Sequence, residues 1–150
     1  MASMESWRIR GTRPWSPTGA TMLRTLIIDD NLLFLDTLSE LLGRFEGVRV
    51  VGVASNGQEG LRAASELVPD LVFVDLKMPG VGGFQVAARL RWQQPLTRVV
   101  VVSLHDDAEY RARAMEVGAE RFVSKNDLFS ELPHIIGAAA LSPGASSGAS

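Results

Sequence analysis

The sequence contains no cysteine, which excludes disulfides, thiolate catalysis and cysteine-ligated zinc together. Histidine is almost as scarce. His105 and His134 are the whole supply, so a histidine-rich metal site is excluded as well. Long hydrophobic runs are also missing. The apolar stretches are short and broken by charge, well below the roughly 18 residues a membrane helix needs. Residues 1–21 carry arginines but no apolar h-region, so they do not read as a secretory signal, and the expected location is cytoplasmic. A net charge of −2 over 150 residues gives no bulk attraction to nucleic acid or to an acidic membrane, and direct binding to either is not expected.

What remains is a length that allows one domain with a substantial core, framed by two ends of different composition. Residues 1–21 mix Arg, Pro, Gly and Ser with Trp7 and Trp15 in no period, which reads as an irregular extension. Residues 141–150, LSPGASSGAS, are small and of low complexity and read as a disordered tail. The domain is expected over residues 22–140.

Inside that span, strand and helix patterns alternate five times. The runs LRTLIID, VRVVGVA, LVFVD, RVVVVS and RFVS are apolar on both faces, as strands buried in a parallel sheet must be. A first helix is expected after Asn31, with a stripe of Leu35, Leu38, Leu42 and Phe45 and a stop at Gly47. A second follows Asn56-Gly57, carries Leu61, Ala64 and Leu67, and cannot pass Pro69. The third runs from Gly83 to Trp92, offers Phe84, Val86, Ala87 and Leu90 to the sheet, and is closed by Pro95. For the fourth, from about Asp107 to Val117, the inward residues are expected to be Ala108, Ala114 and Met115, with Gly118 at the end. The fifth is expected to begin near Ser130 as N-cap, with Pro133 in its first turn and Ile135, Ile136 and Ala139 packed inward. Five βα units with right-handed crossovers give an α/β fold, a doubly wound five-stranded parallel sheet with helices on both faces.

Four features fall where those strands end: the pair Asp29-Asp30, then Asp75, Ser103 and Lys125. Strand ends are where an open α/β sheet places its chemistry. Asp29 alone would read as a turn former, Ser103 alone as a capping residue, and Lys125 alone as a solvated lysine. Two adjacent carboxylates directly after an apolar strand, however, repel each other and call for a cation. Asp75 follows four apolar residues, so its carboxylate emerges from buried backbone and needs a partner. Carboxylates facing one ammonium suit a divalent metal and a phosphate.

The segments LIIDDN, VDLKMPGVGGFQ, VVVVSLHDDAEY and GAERFVSK resemble, in order and spacing, the receiver (CheY-like) domain of two-component response regulators, over about residues 22–140. The DLKMPG and SLHDD phrasing is similar to receivers that precede a helix-turn-helix output domain (NarL-type). The resemblance implies a flavodoxin-like strand order 2-1-3-4-5. It implies that Asp75 is the phosphoacceptor, receiving a phosphoryl group from a sensor histidine kinase or phosphotransfer protein. It further implies Mg²⁺ held by Asp29, Asp30, Asp75 and the backbone carbonyl of Lys77, with Lys125 neutralising charge and Ser103 as the switch hydroxyl. Phe122 matches the aromatic switch position, with an ordinary core aromatic as the competing reading. The implied output is a protein-interaction surface made by the fourth helix, fifth strand and fifth helix, which would meet a downstream protein or a second copy. Such a domain catalyses only its own phosphoryl transfer and autodephosphorylation.

Two departures from the family pattern stand out: Asn126 follows Lys125 where proline is common, and the bulky Leu104 follows Ser103. No output domain follows residue 140 in this sequence. That leaves a stand-alone receiver, the receiver part of a DNA-binding regulator, or a binding module that no longer accepts phosphate. A haloacid-dehalogenase-like phosphatase would need a second acid where Lys77 stands. A flavodoxin-like flavin binder would need a small-residue phosphate loop where Asp29, Asp30 and Asn31 stand.

Overall fold

The computed structural model describes residues 22–140, so the expectations for the two end segments lie outside the described residues. Five strands and five helices alternate along the chain: β1 (Leu23–Ile28), α1 (Leu32–Leu42), β2 (Val48–Ala54), α2 (Gly57–Leu67), β3 (Leu71–Asp75), α3 (Gly83–Gln93), β4 (Arg98–Ser103), α4 (Ala108–Glu116), β5 (Arg121–Ser124) and α5 (Lys125–Ala140). The strands form one parallel sheet in the order β2-β1-β3-β4-β5, as expected.

The strands are apolar on both faces because each face meets helices. Leu26, Ile28, Val72, Val74, Val99 and Val101 point to one side, where they pack with Ala63 and Ala64 of α2 and Val86, Ala87 and Leu90 of α3. Their neighbours Ile27, Leu71, Phe73, Val100, Val102 and Val123 point to the other, against Leu35, Leu38 and Leu42 of α1 and Leu128, Leu132 and Ile135 of α5. This is the period-two alternation of a pleated strand used twice over. Each fully buried leucine, such as Leu38 or Leu42, contributes on the order of 2 kcal/mol of burial.

Three helices differ from expectation. Helix α1 stops at Leu42, where Gly43 donates to Ser39 and Leu41, and Phe45 lies beyond it, half-buried in the following turn. In α4 only Ala114 is buried, while Ala108 is exposed and Met115 is 53% exposed. The inward stripe is Tyr110, Ala114 and Val117, of which the first and last are half-buried against the core. Helix α5 starts at Lys125, so Ser130 is inside the helix rather than capping it and Pro133 is an interior residue. The buried row Leu128, Leu132, Ile135, Ile136 and Ala139 runs at helical spacing from the first turns onward, and that burial outweighs the hydrogen bond lost at Pro133. Ser124 supplies the start signal: its Oγ accepts from the Asn126 N–H at 3.1 Å.

Candidate functional site

In this strand order the chain reverses its winding between β1 and β3, whose carboxyl ends lie side by side at a topological switch point. Asp29 is the first residue past β1. Its N–H donates to the Ala54 carbonyl at 3.0 Å, and its Oδ1 accepts from the Asn31 N–H at 2.8 Å. Asn31 in turn caps α1 by accepting from the Phe34 N–H. Asp75 closes β3, and Leu76 continues the ladder by donating to the Val102 carbonyl at 2.8 Å. Behind it, α3 begins against the Asp75 backbone. A Cβ on Gly83 would sit 2.4 Å from the Asp75 carbonyl oxygen, so only glycine permits that approach.

These elements bring Asp29, Asp30 and Asp75 together, with carboxylate oxygens within 4.8 Å of one another. Asp29 is 1% exposed and Asp75 8%, whereas Asp30 faces solvent. Lys125 closes the group: its Nζ stands 2.7 Å from Asp29 Oδ2 and 3.6 Å from Asp75 Oδ1. The first contact is ionic rather than a well-aligned hydrogen bond, and it leaves the buried Oδ2 without a hydrogen-bond donor. Burial foremost, then the Asp29 carboxylate, raises the Asp75 pKa from 3.8 to about 6; Lys125 pulls it down and Asp30 pushes it up. Three clustered carboxylates with one such oxygen fit a hard divalent cation that prefers oxygen ligands.

Ser103 ends β4, 1% exposed and paired in register with Ser124, the residue before Lys125. Its Oγ accepts from the His105 N–H at 3.0 Å, which leaves the hydroxyl proton free to be donated. The Lys77 side chain is exposed and reaches α4, with Nζ 5.1 Å from the Tyr110 ring centroid; contact with Tyr110 raises its pKa. Phe122 is 4% exposed and belongs to the core under α4. The Arg111 guanidinium covers its ring at 5.1 Å and donates to its carbonyl at 3.3 Å. The peptide between Lys125 and Asn126 is trans. Leu104, beside Ser103, is 65% exposed.

Two residues around the site escaped the sequence reading. Phe34 of α1 lies under the Lys125 ammonium, 4.3 Å from ring centroid to Nζ, and Phe129 of α5 stacks on Phe34 at 6.2 Å and 18°. Only the position of Phe34 on the first turn after the acidic pair could have drawn notice. A cavity of about 770 Å³ opens at the opposite ends of the strands, among Leu23, Val48, Asp70 and Arg98, and holds none of Asp29, Asp30, Asp75, Ser103 and Lys125.

A family profile described as response regulator receiver domain matches residues 25–136, nearly the whole described fold. The chain belongs to the response regulator receiver domain family. Among relatives, this receiver is 36% identical over 115 residues to the response regulator GacA of Pseudomonas aeruginosa, covering 77% of this chain and 54% of GacA. It is 38% identical over 104 residues to a positive alginate biosynthesis regulatory protein of the same organism, covering 69% of this chain and 41% of that protein. The chain thus spans about half the length of these curated relatives. Among solved structures, a receiver domain from Mycobacterium tuberculosis described as that of the response regulator NarL superposes with a TM-score of 0.75 at 31% identity. It covers 80% of this chain and 98% of that one. The fold, the strand order and the receiver assignment agree with the expectation from sequence. No described helix is long and apolar enough to cross a membrane.

Proposed function

We propose that this receiver takes a phosphoryl group from the phosphohistidine of a sensor histidine kinase or phosphotransfer protein onto Asp75. The observation that carries the reading is the Lys125 ammonium, placed between Asp29 and Asp75 at the rim of the three-carboxylate cluster. Asp75 is the nucleophile, because its pKa of about 6 leaves it ionised at neutral pH and yet more basic than a free carboxylate. One Asp75 oxygen bonds to phosphorus as the phosphorus–nitrogen bond breaks. The imidazole keeps the electron pair and takes a proton from solvent, leaving an acyl phosphate on the chain. Lys125 neutralises charge on the transferred group, and the buried Ser103 hydroxyl, its proton uncommitted, donates to a phosphoryl oxygen.

Mg²⁺ is the proposed ion, held by Asp29, Asp30, Asp75 and the Lys77 backbone carbonyl. When bound, it offsets the mutual repulsion of the carboxylates and the negative charge of the phosphoryl group. The receiver unit is residues 22–140, acts in the cytoplasm and catalyses only its own phosphoryl transfer and loss. Its output is a population shift in the face formed by α4, β5 and α5, with Phe122 packing beneath it, toward a downstream protein or a second copy. Because the matched segment is only about half of GacA and of the alginate biosynthesis regulatory protein, a second reading makes this receiver the input part of a longer DNA-binding regulator.

The test is intact-mass measurement after incubation with acetyl phosphate and Mg²⁺. Wild type gains one acid-stable, base-labile phosphoryl group and Asp75→Asn gains none. A wild type without mass gain, or a variant that gains equally, refutes the assignment.

A further inference from the structure

The Lys125 ammonium is held from three sides, and only two of them are carboxylates. Its third neighbour is the face of Phe34, at 4.3 Å, and Phe129, one turn along α5 from the lysine, stacks on the same ring. The lysine needs such a wall. It occupies the first position of α5, where the positive end of the helix dipole disfavours a cation, and its four-carbon stem is flexible. The two carboxylates hold it unequally, Asp29 at 2.7 Å and Asp75 at 3.6 Å. A ring face attracts the ammonium on a surface too wide to seize it, and it also denies that side to water. The side chain of Lys125 is accordingly only 10% exposed although its helix turn is at the surface.

We propose that Phe34, joined by Phe129, is a positioning residue that holds the Lys125 ammonium at the carboxylate cluster, within reach of Asp75, rather than swung into solvent. The inference rests on the role given to Lys125 above. Phe34 touches no reacting atom and acts through the lysine alone. Because one ring of the pair sits on α1 and the other on α5, the same stack ties the start of α5 to the acidic site.

A double-mutant cycle on the phosphorylation rate constant, at saturating acetyl phosphate and Mg²⁺, tests it. Phe34→Leu keeps an apolar side chain without a π face and is expected to slow the reaction about fivefold. Phe34→Tyr keeps the ring and restores the rate to within about twofold. In a Lys125→Met background the leucine substitution is expected to change the rate by less than about 1.5-fold, because the two residues act as one unit. Equal slowing in both backgrounds shows a merely structural role and overturns the proposal, as does no slowing at all. An unaffected Lys125→Met overturns the role of the lysine itself, and the proposal with it. If Phe34→Leu fails to fold, the wild type decides. The ring current of Phe34 is expected to shift the Lys125 Hε resonances upfield, and unshifted resonances overturn the proposal.

Discussion

Replacing Asp75 by asparagine should stabilise the fold, and do so only where the carboxylate is ionised. The side chain is buried beside Asp29 and Asp30, and its pKa rises from 3.8 to about 6. An acid whose folded pKa is raised is harder to ionise in the native state than in the unfolded chain. Its contribution is therefore neutral below the unfolded pKa, becomes a penalty that grows as pH climbs from there to the folded pKa, and is constant above it. Between about pH 4.5 and 7.5 that penalty grows by roughly 2 kcal/mol for the full shift, and by about 1 kcal/mol if solvent near Asp30 screens half of it.

Asparagine has nearly the same shape and does not titrate, so the difference between variant and wild type isolates this one group. Urea unfolding of both proteins in metal-free buffer, at several pH values across that range, measures it. Asp75→Asn should exceed wild type by about 1–2 kcal/mol more at the upper end than at the lower. Adding Mg²⁺ at the upper end should narrow the gap, because the wild type binds the ion with one more carboxylate and is stabilised by mass action. A gap that does not change with pH, or a variant less stable than wild type at neutral pH, would refute the account of Asp75 as a strained, desolvated carboxylate.

Two further substitutions probe the backbone that presents the site. Gly83→Ala places a methyl 2.4 Å from the Asp75 carbonyl oxygen, so α3 must shift off β3; the expected loss is about 2 kcal/mol in thermal or urea unfolding, accompanied by slower phosphorylation, and an unchanged melting curve disproves the contact. Val68 ends α2 in the left-handed region at φ 46°, a conformation that costs a β-branched residue on the order of 1–2 kcal/mol; Val68→Gly should therefore gain about 0.5–1 kcal/mol in urea unfolding despite the looser unfolded chain, and a loss would show that the valine side chain, though 56% exposed, matters more than its backbone.

The strands were readable because each satisfies both sides of the sheet. Runs such as LVFVD and RVVVVS have no other comfortable place, and their ends name the site. The helices were less legible where polarity and apolar area share one side chain. In α4 the inward row passes through Tyr110, whose ring packs on the core beside Phe84 although its hydroxyl makes it half polar, whereas the expected Ala108 and Met115 face solvent. In α5, Pro133 suggests a first turn, but a proline in the third turn is tolerated when Leu128, Leu132, Ile135 and Ile136 are buried along one face. Phe34 was invisible for another reason. Its partner Lys125 lies at the far end of the chain, and nothing local to either residue marks a contact between α1 and α5.

The strand order also explains why the site needs a lysine. β5 is separated from β3 by β4 and from β1 by both, at roughly 4.8 Å per strand. A residue that leaves β5 must cross about 10 Å of sheet edge to reach the end of β3, and only a long side chain with its charge at the tip can do so. Its path passes over the end of β4, where Ser103 lies 1% exposed and in register with Ser124. The aspartates stand at the switch point because the winding reverses there. The lysine reaches it from two strands away, and that crossing makes its position depend on the aromatic ring beneath it.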